Sequence, residues 1–151
     1  MTIHFRPVDR TNQDELAFIA QMDSRIPLDF DPSFIVDENS APARLKYLQS
    51  LAPSDFFEVA VNGPSIIGFH IITVQPYPPD LKIGNIITLW VSPEFRQQGV
   101  AGELKRRGEG WARAQKLTFI QTNVHVNNAR MQELNQANGY STAYLHMRKR
   151  L

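Results

Sequence analysis

A mixed α/β (α+β) fold on one central sheet is the class that the sequence predicts, and three observations predict it. Strand-like runs alternate along the chain with stretches of helical spacing instead of being grouped apart. Three strand-like runs follow one another in the middle of the chain, at residues 56–61, 66–74 and 82–91, separated by turn residues. The length, 151 residues, suits a single domain over 1–151 that buries a core of its own. About six to seven strands and about four helices are expected from the pattern.

Residues 2–8 alternate well enough for a first strand, with Ile3, Phe5 and Val8 as inward candidates. Thr11 or Asn12 caps a helix running to Gln21, on which Leu16, Phe18, Ile19 and Met22 recur at helical spacing. Residues 23–42 lack periodicity and carry Pro27, Pro32 and Pro42, a length of connection that is usually functional or mobile. A short helix from about Pro42 to Leu51 ends at Pro53. Asn62-Gly63-Pro64-Ser65 turns the run 56–61 into the run 66–74, as in a hairpin. Pro76, Pro78 and Pro79 end the second run, and residues 82–91 form a long apolar strand up to Ser92-Pro93. A helix follows from Gly99 to about Gln115, with Leu104, Trp111 and Ala114 on one side. Gly108 and Gly110 each weaken it by roughly 1 kcal/mol against Ala, which reads either as a close approach to another element or as a poor surface helix. Residues 117–126 read as a strand, 128–138 as a helix, Gly139 as its left-handed C-cap, and 140–150 as a final strand.

Composition excludes several classes. A formal net charge of +1 gives no basic field for nucleic acid. The runs Lys105-Arg106-Arg107 and Arg148-Lys149-Arg150 read as solvated faces, with a phosphate-bearing partner as the functional alternative. The chain has no cysteine, which removes disulfides, thiolate metal sites and a Cys nucleophile together, and no metal site is expected. Met1-Thr2-Ile3-His4-Phe5-Arg6 lacks the layout of a signal peptide, and no apolar run approaches the ~20 residues of a membrane span. The expectation is a soluble cytoplasmic protein; a homodimer is left open.

The chemistry concentrates in Ile87-Thr88-Leu89-Trp90-Val91-Ser92-Pro93-Glu94-Phe95-Arg96-Gln97-Gln98-Gly99-Val100-Ala101-Gly102. A buried strand enters a short loop, and the loop opens a helix. The first turn of a helix offers unpaired N–H groups and the positive end of its dipole, both suited to a phosphate. Gly99, Ala101 and Gly102 let an oxygen approach the backbone, and Arg96 adds a fixed positive charge. Small residues at such a turn equally serve packing alone, so this stretch by itself reads as either.

Arg96-x-x-Gly99-x-Ala101, after a strand ending Val91-x-Pro93, resembles the acetyl-CoA-binding motif of the GNAT superfamily of N-acetyltransferases. A second stretch, Asn128-Ala129-Arg130-Met131-Gln132-Glu133-Leu134-Asn135-Gln136-Ala137-Asn138-Gly139-Tyr140, is similar to the family's last-helix motif. The resemblance implies two neighbouring parallel strands, residues 83–91 and 118–126, that splay to admit the pantetheine arm. It implies that the backbone of Leu89, Trp90 and Val91 meets the pantetheine amides and the acetyl carbonyl, with an N–H near Trp90 or Val91 as oxyanion donor. Gln97, Gln98, Gly99, Val100, Ala101 and Gly102 then hold the pyrophosphate through their N–H groups. Asn128 contacts the pantetheine, a role compatible with its being a helix N-cap.

The implied reaction is direct attack of a primary amine of a small molecule or peptide on acetyl-CoA in a ternary complex. It needs a base for the ammonium, an oxyanion donor and an acid for the thiolate. The chain departs from the family pattern here. Asn135 stands where many relatives carry an acidic Tyr; its NH₂ can bond to sulfur but cannot titrate. The strand 82–91 lacks the family's Glu. His70 and His125 are the remaining candidates, each weighed against a structural or solvent-facing role; Tyr140 and Tyr144 are weighed against packing. Residues 23–41, with Asp29, Asp31, Asp37, Glu38, Phe30 and Phe34, read as a surface for a cationic amine or as a solvated loop anchored by its aromatics. The alternative to an enzyme is a CoA-binding sensor of the same fold with little catalysis.

Overall fold

The computed structural model of the protein describes residues 2–151; Met1, the first residue of the stretch read for a targeting signal, lies outside them. The chain forms a five-stranded sheet in the order β1-β2-β3-β4-β5. These strands are β1 Ile3–Pro7, β2 Phe56–Asn62, β3 Ser65–Tyr77, β4 Leu81–Val91 and β5 Ile120–Gln121. The helices are α1 Gln13–Asp23, α2 Ser40–Ser50, α3 Val100–Ala114 and α4 Ala129–Ala137, with 3-10 turns at Ile26–Asp29 and Pro93–Phe95. No helix among the described residues is long and apolar enough to cross a membrane.

α1 starts where expected. The Asn12 side chain accepts the Glu15 N–H, and the Glu15 carboxylate accepts the Asp9 N–H and an ion pair from Arg6. Side chains alternate across the sheet, so each face buries its own set. On one face Leu16, Ile19 and Ala20 of α1 and Leu48 of α2 pack on Phe57, Val59, Phe69 and Ile71. On the other, Val100 and Leu104 of α3 pack on Ala60, Ile67 and Val91. Pro76 does not end β3, which runs on to pair Tyr77 with Leu81. The β2 ladder has already stopped at Ile72, so the proline removes no bond there.

β1 to β4 are antiparallel, and only β4 and β5 are parallel, paired at Gly84↔Ile120 and Asn85↔Gln121. A bulge explains why that pairing is short. Ile71 pairs with Thr88 and Ile72 with Ile86, so Ile87 is an extra residue on β4. Bulges bend and twist the strand that carries them, and β4 parts from β5 directly after Asn85. Two expectations fail for this reason. The strand expected at 117–126 shrinks to Ile120–Gln121, and the segment at 140–150 forms no strand, because β5 offers it almost no edge. The sheet therefore has five strands, not six or seven.

Candidate active site

Where β4 and β5 part, a cavity of about 580 Å³ opens. Ile86, Ile87, Thr88 and Leu89 line it from β4, and Thr122, Asn123, Val124 and His125 from the chain beyond β5. It crosses the sheet. Asp23, Phe30, Phe34, Arg44 and Tyr47 line it on the α1–α2 side, and Lys105, Asn128, Met131 and Asn135 on the α3–α4 side.

α3, which sends Lys105 to the cavity wall, begins five residues earlier at Val100, and the turn before it, residues 96–99, is not part of that wall. Its N-cap, Gly99, has φ 83 and gives no side-chain cap, and its carbonyl takes the first bond, from the Glu103 N–H at 3.0 Å. The N–H groups of the turn before Glu103 are thereby left for a partner outside the helix. A left-handed φ favours glycine, and Gln97 shares that region at φ 60. A Cβ at Gly99 or Gly102 meets nothing within 4 Å, so the turn is open above both. The Arg96 Nε donates to the Val91 carbonyl at 2.9 Å, and its Nη2 lies 3.6 Å from Asp29. Burial, and the charge of Arg130 from α4, push the Arg96 pKa down. A second guanidinium, that of Arg130, thus lies near enough to Arg96 to act on its charge, and sequence reasoning found only Arg96.

The predicted residues divide. Leu89, His125, Asn128 and Asn135 line the cavity together. Trp90 instead stacks on Phe69, with ring centroids 5.1 Å apart. Val91 is buried, and its carbonyl is taken by Arg96. Gln98 bonds back to the Glu94 carbonyl. Val100 is 2% exposed, its side chain packed under the helix, so only its backbone faces the turn. Asn128 caps α4, accepting the Met131 N–H at 3.2 Å. Asn135 is buried, and its Oδ1 has no hydrogen-bond partner among the described residues.

His70 is a correction: it does not line the cavity. It is 1% exposed, its Nδ1 lies 2.9 Å from the Thr88 carbonyl oxygen, and its ring packs edge-on to Phe56. Desolvation drives its pKa down to about 4, which keeps the ring neutral in the core. His125 does face the cavity. Its Nδ1 accepts the Asn127 N–H at 3.1 Å, which puts the proton of the neutral ring on Nε2, 4.0 Å from Asp31.

Two of the acids of residues 23–41 serve their own loop, while Asp29 pairs with Arg96. Asp31 accepts the Ser33 N–H and Oγ–H, and Asp37 accepts the Asn39 N–H and the Ser40 hydroxyl at the start of α2. Phe30 and Phe34 do line the cavity, and Phe30 lies 5.0 Å from the His125 ring. The Asn127 amide donates to the Phe30 carbonyl, tying this loop across the cleft.

Among the described residues, Asp23 is the one carboxylate that lines the cavity, a group sequence reasoning passed over at the end of α1. Burial raises its pKa against the opposing pull of its ion pair with the Arg44 Nε. Lys105 was missed as well. It is 2% exposed, with Nζ 4.1 Å above the Tyr140 ring, and burial pushes its pKa down to about 8.

Comparison with known proteins fits this geometry. The profile of the Acetyltransferase (GNAT) family matches residues 24–140. An aminoglycoside N(6')-acetyltransferase type 1 of Klebsiella aerogenes is 29% identical over 86 residues, 55% of this chain and 56% of that protein, so the match spans little more than half of that relative's length. A putative acetyl transferase from Pyrococcus furiosus superposes with TM-score 0.80 at 20% identity, over 99% of this chain and 100% of that one. AAC(6')-Iy, solved with the bisubstrate analog CoA-S-monomethyl-acetylneamine, superposes with TM-score 0.72 at 18% identity over 100% of both chains. At such identities the two structures share the fold.

Proposed function

The chain belongs to the acetyltransferase (GNAT) family, and on that premise we propose that it moves an acetyl group from acetyl-CoA to a primary amine of a small molecule or peptide. The observation that carries this reading is the cavity through the sheet where β4 and β5 part, together with the open, uncapped Gly99 turn that starts α3, the helix whose Lys105 lines that cavity. The residues present fit the donor: the turn has free space above Gly99 and Gly102, and the buried Asn135 Oδ1 awaits a hydrogen-bond donor. Acetyl-CoA supplies an activated acyl group on a thiol leaving group.

The chain's own residues do the rest. The N–H groups of Gln97, Gln98, Gly99, Val100, Ala101 and Gly102, with Arg96 and Arg130, hold the pyrophosphate. Asn128, Asn135 and the free backbone edge of β4 at Leu89 bind the pantetheine amides. On the other face Asp23 draws a cationic amine into the cleft, Phe30, Phe34 and Tyr47 cover its carbon skeleton, and the segment 24–39 excludes water. Direct attack in a ternary complex is the route that the family resemblance implies, and the lack of cysteine in the chain agrees with it. The bisubstrate analog carried by AAC(6')-Iy and the aminoglycoside acetyltransferase of Klebsiella aerogenes support amine acetylation, with polycationic amino sugars among the first acceptors to try.

Calorimetry with acetyl-CoA, then thiol release over a library of amines and peptides, tests the proposal. Saturable binding and turnover with one acceptor class are expected; a folded protein that binds no acetyl-CoA refutes it. Gly99→Glu puts a side chain on a left-handed residue and a negative charge where phosphates sit, so it abolishes binding. Unchanged affinity in the folded variant removes the turn from the site.

A further inference from the structure

Three consecutive basic residues on α3 go three ways. Arg106 pairs with Glu103 at the surface, and Arg107 pairs with Glu58 of β2. Lys105 instead lines the cavity, with Nζ 4.1 Å from the Tyr140 ring; the residue is 2% exposed and no carboxylate forms an ion pair with it among the described residues. Glu109, one turn on, pairs with Arg113 instead, at 3.6 Å. A buried ammonium held only by the Tyr140 ring and by the charge of Glu109, with no ion pair of its own, is costly and calls for a reason.

The packing of α3 gives its level in the cleft. Val100 and Leu104 approach Gly68, which pairs with Val91. Gly108 approaches His70 and Ile72, which pair with Leu89 and Ile86. Lys105 lies between these levels, beside the stretch of β4 where the Ile87 bulge turns the strand from β5. Lys105 and Asn135, whose Oδ1 is buried and unpartnered, line the same cavity. A donor-only group and an orphan acceptor lining one cleft fit a ligand atom that gains negative charge next to one that donates.

We propose that Lys105 is the acid that protonates the departing thiolate. The proposal rests on the acetyl-transfer reading and fills the role that Asn135 cannot. As the amine nitrogen bonds to the carbonyl carbon, the C–S bond breaks and its electron pair goes to sulfur. Lys105 passes a proton from Nζ to that sulfur, giving the free thiol. The proton lost by the amine nitrogen returns through water to Nζ, so the ammonium is restored.

The surroundings suit the role. Burial sets the Lys105 pKa at about 8, close to the roughly 8.5 of an ordinary thiol. The titratable groups that act on it directly are Glu109 on its own helix, His70 on β3 and Tyr140 after α4, while Asp23, Arg44, Tyr47 and His125 line the same cavity from other elements. His70 is neutral above about 4, and burial pushes Tyr140 up to about 12, so neither competes as a donor at neutral pH.

The test uses the full chain with Lys105→Met and Lys105→Arg, folding being checked by circular dichroism. Its first readout does not need turnover: the ultraviolet absorbance of the thiolate of bound CoA, titrated against pH. The midpoint should lie roughly one pH unit or more higher in Lys105→Met than in the wild type, and near the wild type in Lys105→Arg, which keeps the charge. Equal midpoints in all three overturn the proposal. With acetyl-CoA and a working acceptor, kcat should fall about 100-fold or more in both variants, while CoA affinity changes by less than about fivefold. The fall of wild-type kcat above pH 8 should be absent from both. Near-wild-type kcat in Lys105→Met, or full rescue by Lys105→Arg, also overturns it. A wild type that binds no CoA fails one step earlier and refutes the donor site itself.

Discussion

Asn135 holds a buried side-chain oxygen that no group of the described protein satisfies. An acceptor in that state costs about 1–3 kcal/mol, and the cost falls on the ligand-free fold. Asn135→Leu is therefore expected to raise the melting temperature of the free protein while weakening CoA binding, as calorimetry can read for both. A variant that is less stable and binds as well places the role of Asn135 outside the cleft. At this scale the proposed cofactor half of the candidate site is what the sequence suggested, because Gly99, Asn128 and Asn135 sit in short motifs of fixed spacing. It did not suggest Lys105, which reads as part of a basic run. Residues on a helix are 3.6 to the turn, so three in a row cannot share a face. The stripe Val100, Leu104, Gly108 and Ala112 sets the phase of α3 and thereby turns Lys105 inward. Asp23 hid in the same way, at the end of the buried stripe Leu16, Ile19, Ala20.

Among the elements, α3 carries two glycines with opposite meanings. A Cβ at Gly108 comes within 2.7 Å of the Ile72 side chain and 3.1 Å of the His70 ring, whereas one at Gly110 meets nothing within 4 Å. Gly108→Ala is expected to destabilise the fold by about 1–3 kcal/mol through overpacking. Gly110→Ala should stabilise it by up to about 1 kcal/mol, since it only improves helix propensity. Urea unfolding of both variants decides, and equal effects at the two sites defeat the distinction. The helices and β1 to β4 were legible because caps, turns and periodicity are local signals. β5 and the C-terminal segment were not. The length of the β4–β5 pairing depends on the Ile87 bulge, a property of the register between β3 and β4, and alternation in residues 140–150 says nothing about whether a partner strand is available.

For the whole molecule, His70 ties global stability to pH. Its folded pKa, about 4, lies below the ordinary value of 6.5, so between those pH values the unfolded chain binds more protons. Stability contributed by the neutral ring is present above pH 6.5 and is lost as pH falls towards 4, by up to roughly 3 kcal/mol. Urea unfolding from pH 7 to 4 should show that decline, and His70→Gln should flatten it; an equal slope in the variant assigns the loss to other groups. The cleft has a consequence of a different kind. Its acceptor-side lining comes mostly from one continuous stretch, residues 23–47, while the donor half is set by α3, α4 and the chain beyond β5. A lining that is contiguous in the gene can be lengthened, cut or exchanged by recombination as one cassette. On the acetyl-transfer reading proposed above, a lineage that carries this architecture can therefore explore new acceptors rapidly while inheriting its acyl donor unchanged.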